Sequence, residues 1–305
     1  MTGFERDFYE ERRRKWRRSA FWRGVFATLG LFIAIIAVSV WFSGTPRFSD
    51  HIAHVDLSGV IYNDPELDAT LREVEKNDSA KALILTISSP GGTTVGSEAV
   101  FERLRRIAKV KPVVSVLGEV AASGGYIAAI GTDYIIARGN TITGSIGVIM
   151  EYPDVTDLMS TLGISMQTIR SSPLKADLTP YRKASPKGLA VEQDLIDESY
   201  QWFRGLVEQR RNLTGAELDK VADGRVFTGR VALDLGLIDA IGGFDAATDY
   251  LDSLDSLKAG LPVDSYALDY QEGGIFGPVG KFLAENGMLG QISGQTGPRL
   301  YSIAK

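Results

Sequence analysis

Three glycine-containing turns each follow a short apolar run, and they are the segments of this chain best suited to chemistry. They read SSPGG at 88–92, AASGG at 121–125 and TGSIG at 143–147. Parallel α/β proteins bind ligands at the carboxyl ends of their strands, so we expect all three turns to face one site. Ser123 lies in the second turn, between an apolar run and a helical run, with small neighbours that let a substrate backbone come close. This setting suits a nucleophile.

A serine nucleophile needs a base that removes its proton. The chain has only two histidines, His51 in a segment before the first predicted strand and His54 at the start of that strand. Both positions favour structural or surface roles, which makes a Ser-His-Asp triad a poor interpretation. Lysine can replace histidine when burial lowers the pKa of its amine. The candidate is Lys175 in the loop RSSPLKADLTP, although glycine turns more often serve packing and loop lysines are more often solvated.

Composition excludes several other classes of site. The chain has no cysteine, so disulfides and thiolate chemistry are impossible, and two histidines are too few for a His/Cys metal centre. We therefore expect no metal and no cofactor. The net charge is -5, and the acidic excess lies after residue 23. We expect no nucleic-acid partner.

The amino-terminal region has the pattern of a membrane anchor. Residues 24–42 are 19 uncharged, mostly apolar residues, about the length that crosses a bilayer as a helix. Residues 1–23 carry eight basic and four acidic residues, and aromatic residues stand at both edges of the apolar stretch. The positive-inside rule then places the head in the cytoplasm and the chain after residue 42 outside. A cleaved signal peptide and a buried core helix are the alternatives, both less consistent with the long basic head.

The elements that must position the turns alternate between strands and helices. Apolar strand patterns cover residues 52–62, 81–87, 112–118 and 133–137, with further extended segments at 143–150 and 164–169. Helical patterns cover residues 66–78, 95–109, 154–162 and 186–211, and another helix begins at Thr214, where TGAE fits a capping box. This alternation predicts an α/β fold with a mainly parallel sheet and right-handed βαβ crossovers.

Taken in order, these motifs resemble the signal peptide peptidase A family, which are Ser-Lys peptidases with a ClpP/crotonase-like fold. The resemblance rests on SSPGG at 88, AASGGYIAA at 121, TITGSIGVIM at 141, the lysine loop and ADGRVFTGRVALDLGLIDAIGG from 222, and it covers about residues 52–245. It implies the short, single-domain form of the family. The domains are then a cytoplasmic head (1–23), a transmembrane helix (24–42), a stalk (43–51), a peptidase domain (52–255) and a carboxyl-terminal segment of open role (256–305).

The resemblance also assigns roles to individual residues. It implies that Ser123 is the nucleophile and Lys175 the base, that Gly92 and Gly124 supply the oxyanion-hole N–H groups, and that Ser145 helps to hold the lysine amine. Asp223, Gly224 and Arg225 match a further family motif, for which we expect a turn and an ion pair.

The implied biology is degradation of signal peptide remnants and other unfolded or membrane-associated peptides by a ring-shaped homo-oligomer in the cytoplasmic membrane. In short forms the lysine can come from a neighbouring subunit. Two alternatives keep the fold: a crotonase-type acyl-CoA hydratase or isomerase, and a non-catalytic membrane scaffold. The membrane topology disfavours the first, and the intact serine, lysine and glycine motifs disfavour the second.

Overall fold

The computed structural model describes residues 22–23, 25–32 and 49–268. Residues 22–23 and 25–32 are helical and exposed. The rest of the predicted transmembrane span, residues 1–21 of the head, most of the stalk and residues 269–305 lie outside the described part. Within that part, no helix is both long enough and apolar enough to cross a membrane.

Residues 49–268 form an α/β domain built around one mostly parallel sheet. Its strands are β1 (His51–Ile61), β2 (Ala80–Gly92), β3 (Val113–Ala122), β4 (Tyr134–Ala137), β5 (Ile142–Gly144), β6 (Val226–Thr228), β7 (Ala240–Ile241) and β8 (Val263–Ser265). The strand order is β6-β5-β3-β2-β1-β8, with β4 paired to β3 and β7 paired to β4. Among these eight strands, only β5 and β6 pair in antiparallel fashion. The α/β class and the mainly parallel sheet are therefore confirmed.

The helices connect the strands, and most of them contribute buried residues to the cores on the sheet. They are α1 (Pro65–Lys76), α2 (Thr94–Ile107), α3 (Gly124–Ile130), α4 (Thr156–Thr161), α5 (Pro186–Arg211), α6 (Gly215–Val221), α7 (Gly229–Asp234) and α8 (Phe244–Asp252). The starts of α1 and α2 follow from local chemistry, because Asp64 caps α1 by accepting from Glu66 N at 2.9 Å, and Thr93 caps α2 by accepting from Gly96 N at 3.1 Å. The predicted helices at 66–78, 95–109 and 186–211 are confirmed to within two residues at each end.

Alternate residues of the central strands supply two separate cores. In β2, Leu83, Leu85 and Ile87 belong to the larger core, which also contains residues of α1, α2, α3 and α5. Ala82 and Ile84 point to the opposite face, where Ala247 and Leu251 of α8 cover them. A strand buried on both faces explains why this segment reads as a continuous apolar run.

The structure differs from the sequence expectation in several places. The extended segments at 143–150 and 164–169 contain only the short strand β5, and Ile169 is fully exposed. The helix α6 begins after Thr214 as expected, but the Thr214 side chain makes no capping hydrogen bond, so the capping box is wrong. The segment after residue 256, which had no assigned role, contributes β8, which pairs with β1.

His51 also differs from its assignment to the stalk. It is the first residue of β1, and its side chain is fully buried. Its Nδ1 lies 2.9 Å from Ser49 O and its Nε2 lies 2.9 Å from Tyr266 Oη. The folded domain therefore starts at or before His51 and extends at least to Tyr266, because Tyr266 is itself buried.

Candidate active site

The three glycine turns meet at one edge of the sheet. β2 and β3 are in register with Ser89 opposite Ala121, and β3 and β5 with Ala122 opposite Gly144. Each turn thus lies at the carboxyl end of its strand, and these strands are neighbours in the sheet, as the sequence predicts. Together they line one cavity of about 780 Å³.

Ser123 occupies the sharp junction between β3 and α3. Its φ is 52° and its ψ is -119°, values that a residue with a side chain rarely adopts. The turn is held because Ser123 N donates to Gly144 O at 2.8 Å, while Ser123 O accepts from Tyr126 N and Ile127 N at 2.9 Å each. A strained serine at a strand-to-helix turn, with its side chain facing a cavity, is the arrangement of a nucleophile elbow.

Close backbone packing around Ser123 explains the neighbouring glycines. A Cβ on Gly91 would stand 2.9 Å from Ser123 Cβ, and Gly91 has a φ of +124° that side chains rarely adopt. A Cβ on Gly92 would overlap the carbonyl of Ile61. A larger residue at position 91 would therefore push the turn away from Ser123, and one at position 92 would push it away from β1.

Gly92 and Gly124, the two predicted oxyanion-hole donors, lie side by side. The position that a Cβ on Gly124 would occupy is 3.0 Å from Gly92 N. Gly124 opens α3, where backbone N–H groups have no partner within the helix. Two adjacent amides beside a serine can bind the oxyanion that forms when its hydroxyl attacks a carbonyl.

Ser145, the predicted lysine-positioning residue, faces the same cavity from the end of β5. Its φ of 52° is again positive, and its amide donates to Arg225 O at 2.8 Å. The structure therefore brings Ser123, Gly92, Gly124 and Ser145 together around one space.

The long helix α5 supplies a wall of the cavity that the sequence reasoning missed. Ile196, Asp197, Tyr200, Trp202 and Phe203 line this side. The signal was present in part, because Ile196, Tyr200 and Phe203 recur at helical spacing and so mark one face of α5. What the sequence does not show is that this face meets a turn about 75 residues earlier in the chain.

Asp223 and Gly224 also border the cavity. Arg225 Nε donates to both Asp223 oxygens, at 2.9 and 2.7 Å, as expected for the ion pair in this turn. The hydrogen bond from Arg225 lowers the pKa of the Asp223 carboxyl. Asp223 is therefore ionised, and the charge of Arg225 balances its own. Asp197 is the other carboxylate among the described residues that line the cavity.

Lys175 is not among the residues that line the cavity within one chain. It is exposed, and its amide donates to Ser172 O at 3.2 Å in a short turn. Both histidines are within the described residues, and neither lines the cavity: His54 Nε2 lies 2.9 Å from Thr86 Oγ1, and His51 is buried near Tyr266. The identity of the base thus stays a prediction from sequence.

A strained serine beside two glycine amides, at the carboxyl edge of a parallel sheet, is an arrangement suited to a hydrolase with a serine nucleophile. Comparison with protein families gives the same class, because residues 105–258 match the model of peptidase family S49. The chain belongs to peptidase family S49 and is a serine peptidase of the signal peptide peptidase A type.

Individual relatives carry matching names. "Putative protease slr0021" of Synechocystis is 37% identical over 220 residues, which are 72% of this chain and 78% of that protein. "Serine protease SPPA, chloroplastic" of Arabidopsis thaliana is 32% identical over 200 residues, covering 65% of this chain and 29% of that protein. Among solved structures, a 1510-N membrane-bound stomatin-specific protease overlaps 72% of this chain and 98% of its own, with a TM-score of 0.48 and 16% identity.

Proposed function

We propose that the protein cleaves peptides with a dyad of Ser123 and Lys175. The observation that carries this proposal is the strained Ser123 turn beside the Gly92 and Gly124 amides, in a cavity that no histidine lines. The neutral Lys175 amine takes the Ser123 proton, and Ser123 Oγ attacks the peptide carbonyl carbon while the two amides bind the oxyanion.

The second half of the cycle returns the enzyme to its starting state. Collapse of the tetrahedral intermediate breaks the C–N bond, and the Lys175 ammonium gives its proton to the leaving amine. The Lys175 amine, now neutral, then removes a proton from water, and the water oxygen attacks the acyl carbon. The bond to Ser123 breaks, and Ser123 Oγ recovers its proton from Lys175. In this proposal Ser145, which lines the same cavity, holds the lysine amine.

We propose further that Lys175 reaches Ser123 across a subunit boundary in a ring-shaped homo-oligomer. In the single chain no residue from 147 to 176 is buried. This stretch nevertheless carries large apolar side chains with exposed fractions of 51–103%: Ile149, Met150, Leu158, Leu162, Ile164, Met166 and Ile169. Apolar exposure on this scale marks an interaction surface. A second copy of the chain would cover this surface, and the contact would bring Lys175 of one subunit to Ser123 of the other.

The substrates we propose are unfolded or membrane-associated peptides, including signal peptide remnants. The apolar side chains of Ile127, Ile146, Trp202 and Phe203 line the cavity and suit such sequences. Residues 24–42 would anchor the protein in the cytoplasmic membrane, with the head inside and the catalytic domain outside. In this picture the domain has a ClpP/crotonase-like fold.

The test is hydrolysis of an apolar, unfolded fluorogenic peptide by the full chain in detergent. Ser123→Ala and Lys175→Ala are each expected to abolish turnover while leaving the assembly intact, as judged by light scattering. The matched control is Lys187→Ala, which removes an exposed lysine near the start of α5. Native turnover by Ser123→Ala would refute the peptidase mechanism, and native turnover by Lys175→Ala would refute the dyad alone.

A further inference from the structure

One carboxylate organises the loop that carries Lys175. Asp177 is only 6% exposed. Its Oδ1 accepts from Arg170 Nη1 at 3.1 Å and from Arg182 Nη2 at 2.9 Å. Its Oδ2 accepts from Ser185 N at 3.0 Å and from Ser185 Oγ at 2.5 Å. Hydrogen bonds from Ser185 and then Arg170 lower the pKa of Asp177 to about 2, so it stays ionised.

The two arginines that pair with Asp177 also donate to the backbone carbonyls of Lys175 and the residue after it. Arg170 Nη1 lies 3.3 Å from Lys175 O, and Arg182 Nη2 lies 3.3 Å from Ala176 O. Ala176 has a φ of 49°, a conformation that costs about 1–2 kcal/mol for a residue with a side chain. Strain of this kind persists where the surrounding contacts impose it, so the backbone next to Lys175 is held in one conformation.

Asp177 also joins this loop to the helix that forms the wall of the active-site cavity. Ser185 is the N-cap of α5, and its Oγ accepts from Gly188 N at 3.0 Å while donating to Asp177. A Cβ on Gly188 would overlap the Asp177 carboxylate, so the packing leaves no space between them. The same α5 presents Tyr200 and Phe203 to the cavity.

We propose that Asp177 is a positioning residue, which sets the place and direction of Lys175 through Arg170, Arg182 and the start of α5. This inference rests on the proposed role of Lys175 as the base. Lysine has a long, flexible side chain, so its amine is aimed mainly by the backbone that carries it. A displacement of about 1 Å in a reacting group costs on the order of 10²-fold in rate.

The experiment measures how fast a fluorophosphonate probe labels Ser123 in the full-length assembled protein, across the pH range in which the rate rises. The variants are Asp177→Asn, Lys175→Ala and the two combined. The control is Asp194→Asn, which removes the same charge from an exposed position on α5. Asparagine keeps the shape of Asp177 but cannot accept from both the arginines and Ser185, because one of its two terminal groups is a donor.

Asp177→Asn is expected to lower the labelling rate at least about 10-fold and to alter its pH profile, while Asp194→Asn leaves both unchanged. In the Lys175→Ala background, Asp177→Asn is expected to cause no additional loss, because its effect passes through Lys175. An equal loss in both backgrounds, or no loss in the chain that keeps Lys175, would overturn the positioning role. An unchanged rate in Lys175→Ala alone would instead overturn the proposed dyad.

Discussion

Gly124 offers the sharpest test of the geometry around the nucleophile. Alanine suits the helical backbone at this position, so the substitution Gly124→Ala acts only through the steric contacts of the added Cβ. The new Cβ would overlap Ser97 Oγ and lie 3.0 Å from Gly92 N. Ser97 is fully buried, and its Oγ donates to Thr93 O at 3.0 Å, so it has little freedom to move away.

The expected magnitude follows from that overlap. Relieving it requires Gly124 to move on the order of 1 Å away from Ser97, which also displaces the Gly124 amide relative to Gly92 and predicts about a 10²-fold loss of kcat. KM should change little, because oxyanion binding is realised in the transition state. Overpacking at this site should also cost about 1–3 kcal/mol of stability.

A second substitution separates this explanation from general damage. Ser97→Ala removes the overlapping oxygen and by itself loses one hydrogen bond, about 1 kcal/mol. In Ser97→Ala/Gly124→Ala the shortest contact of the new Cβ becomes the 3.0 Å approach to Gly92 N, which needs a shift of only a few tenths of an ångström.

The double variant should therefore recover about 10-fold in kcat over Gly124→Ala, by the same distance argument. The assay is steady-state hydrolysis of a fluorogenic peptide, with thermal melts to follow stability. Native kcat in Gly124→Ala, or no recovery in the double variant, would refute the steric reasoning.

Three further predictions concern stability at low pH, assembly of the oligomer and the charge of the cavity. Because the folded-state pKa of Asp177 is lowered from 3.8 to about 2, its contribution to stability is present above pH 3.8 and is lost as the pH falls toward 2. The melting temperature of Asp177→Asn should therefore fall less than that of the native chain as the pH drops from 3.8 toward 2. The same pH dependence in both chains would contradict this contribution of Asp177. Ile169→Asp, at a fully exposed apolar position, should break the oligomer and abolish turnover while leaving the circular dichroism spectrum native, and an intact, active assembly would contradict the proposed interface. Asp197→Asn should reduce cleavage of peptides with a basic residue near the scissile bond more than cleavage of neutral ones, because the other carboxylate of the cavity, Asp223, is paired with Arg225. Equal effects on both kinds of peptide would count against it.

The sequence predicts the centre of this fold well because its signals are local. The two-sided burial of β2 and β3 appears as apolar runs, and the glycine turns after them mark the carboxyl edge of the sheet. Ser123 could be chosen because a small-residue turn between a strand and a helix is readable from its own neighbours.

Features that depend on distant contacts could not be read in this way. The short strand β8 becomes a strand through pairing with β1, and His51 is buried by Tyr266, which is 215 residues away. The segment at 164–169 has strand-like residues but forms no strand. The strand before it, β5, pairs with β3 and β6 instead. The place of Lys175 relative to Ser123 is likewise not a local property, since the lysine lies outside the cavity of its own chain.

The most direct test of a dyad shared between subunits is to mix two inactive variants. Ser123→Ala and Lys175→Ala chains are dissociated, combined in equal amounts and reassembled, and peptide hydrolysis is measured after mixed assemblies have been verified with distinct tags. If each site takes Ser123 from one subunit and Lys175 from its neighbour, random assembly restores about one quarter of native activity. Mixed assemblies without activity would contradict a dyad that is shared across the subunit boundary.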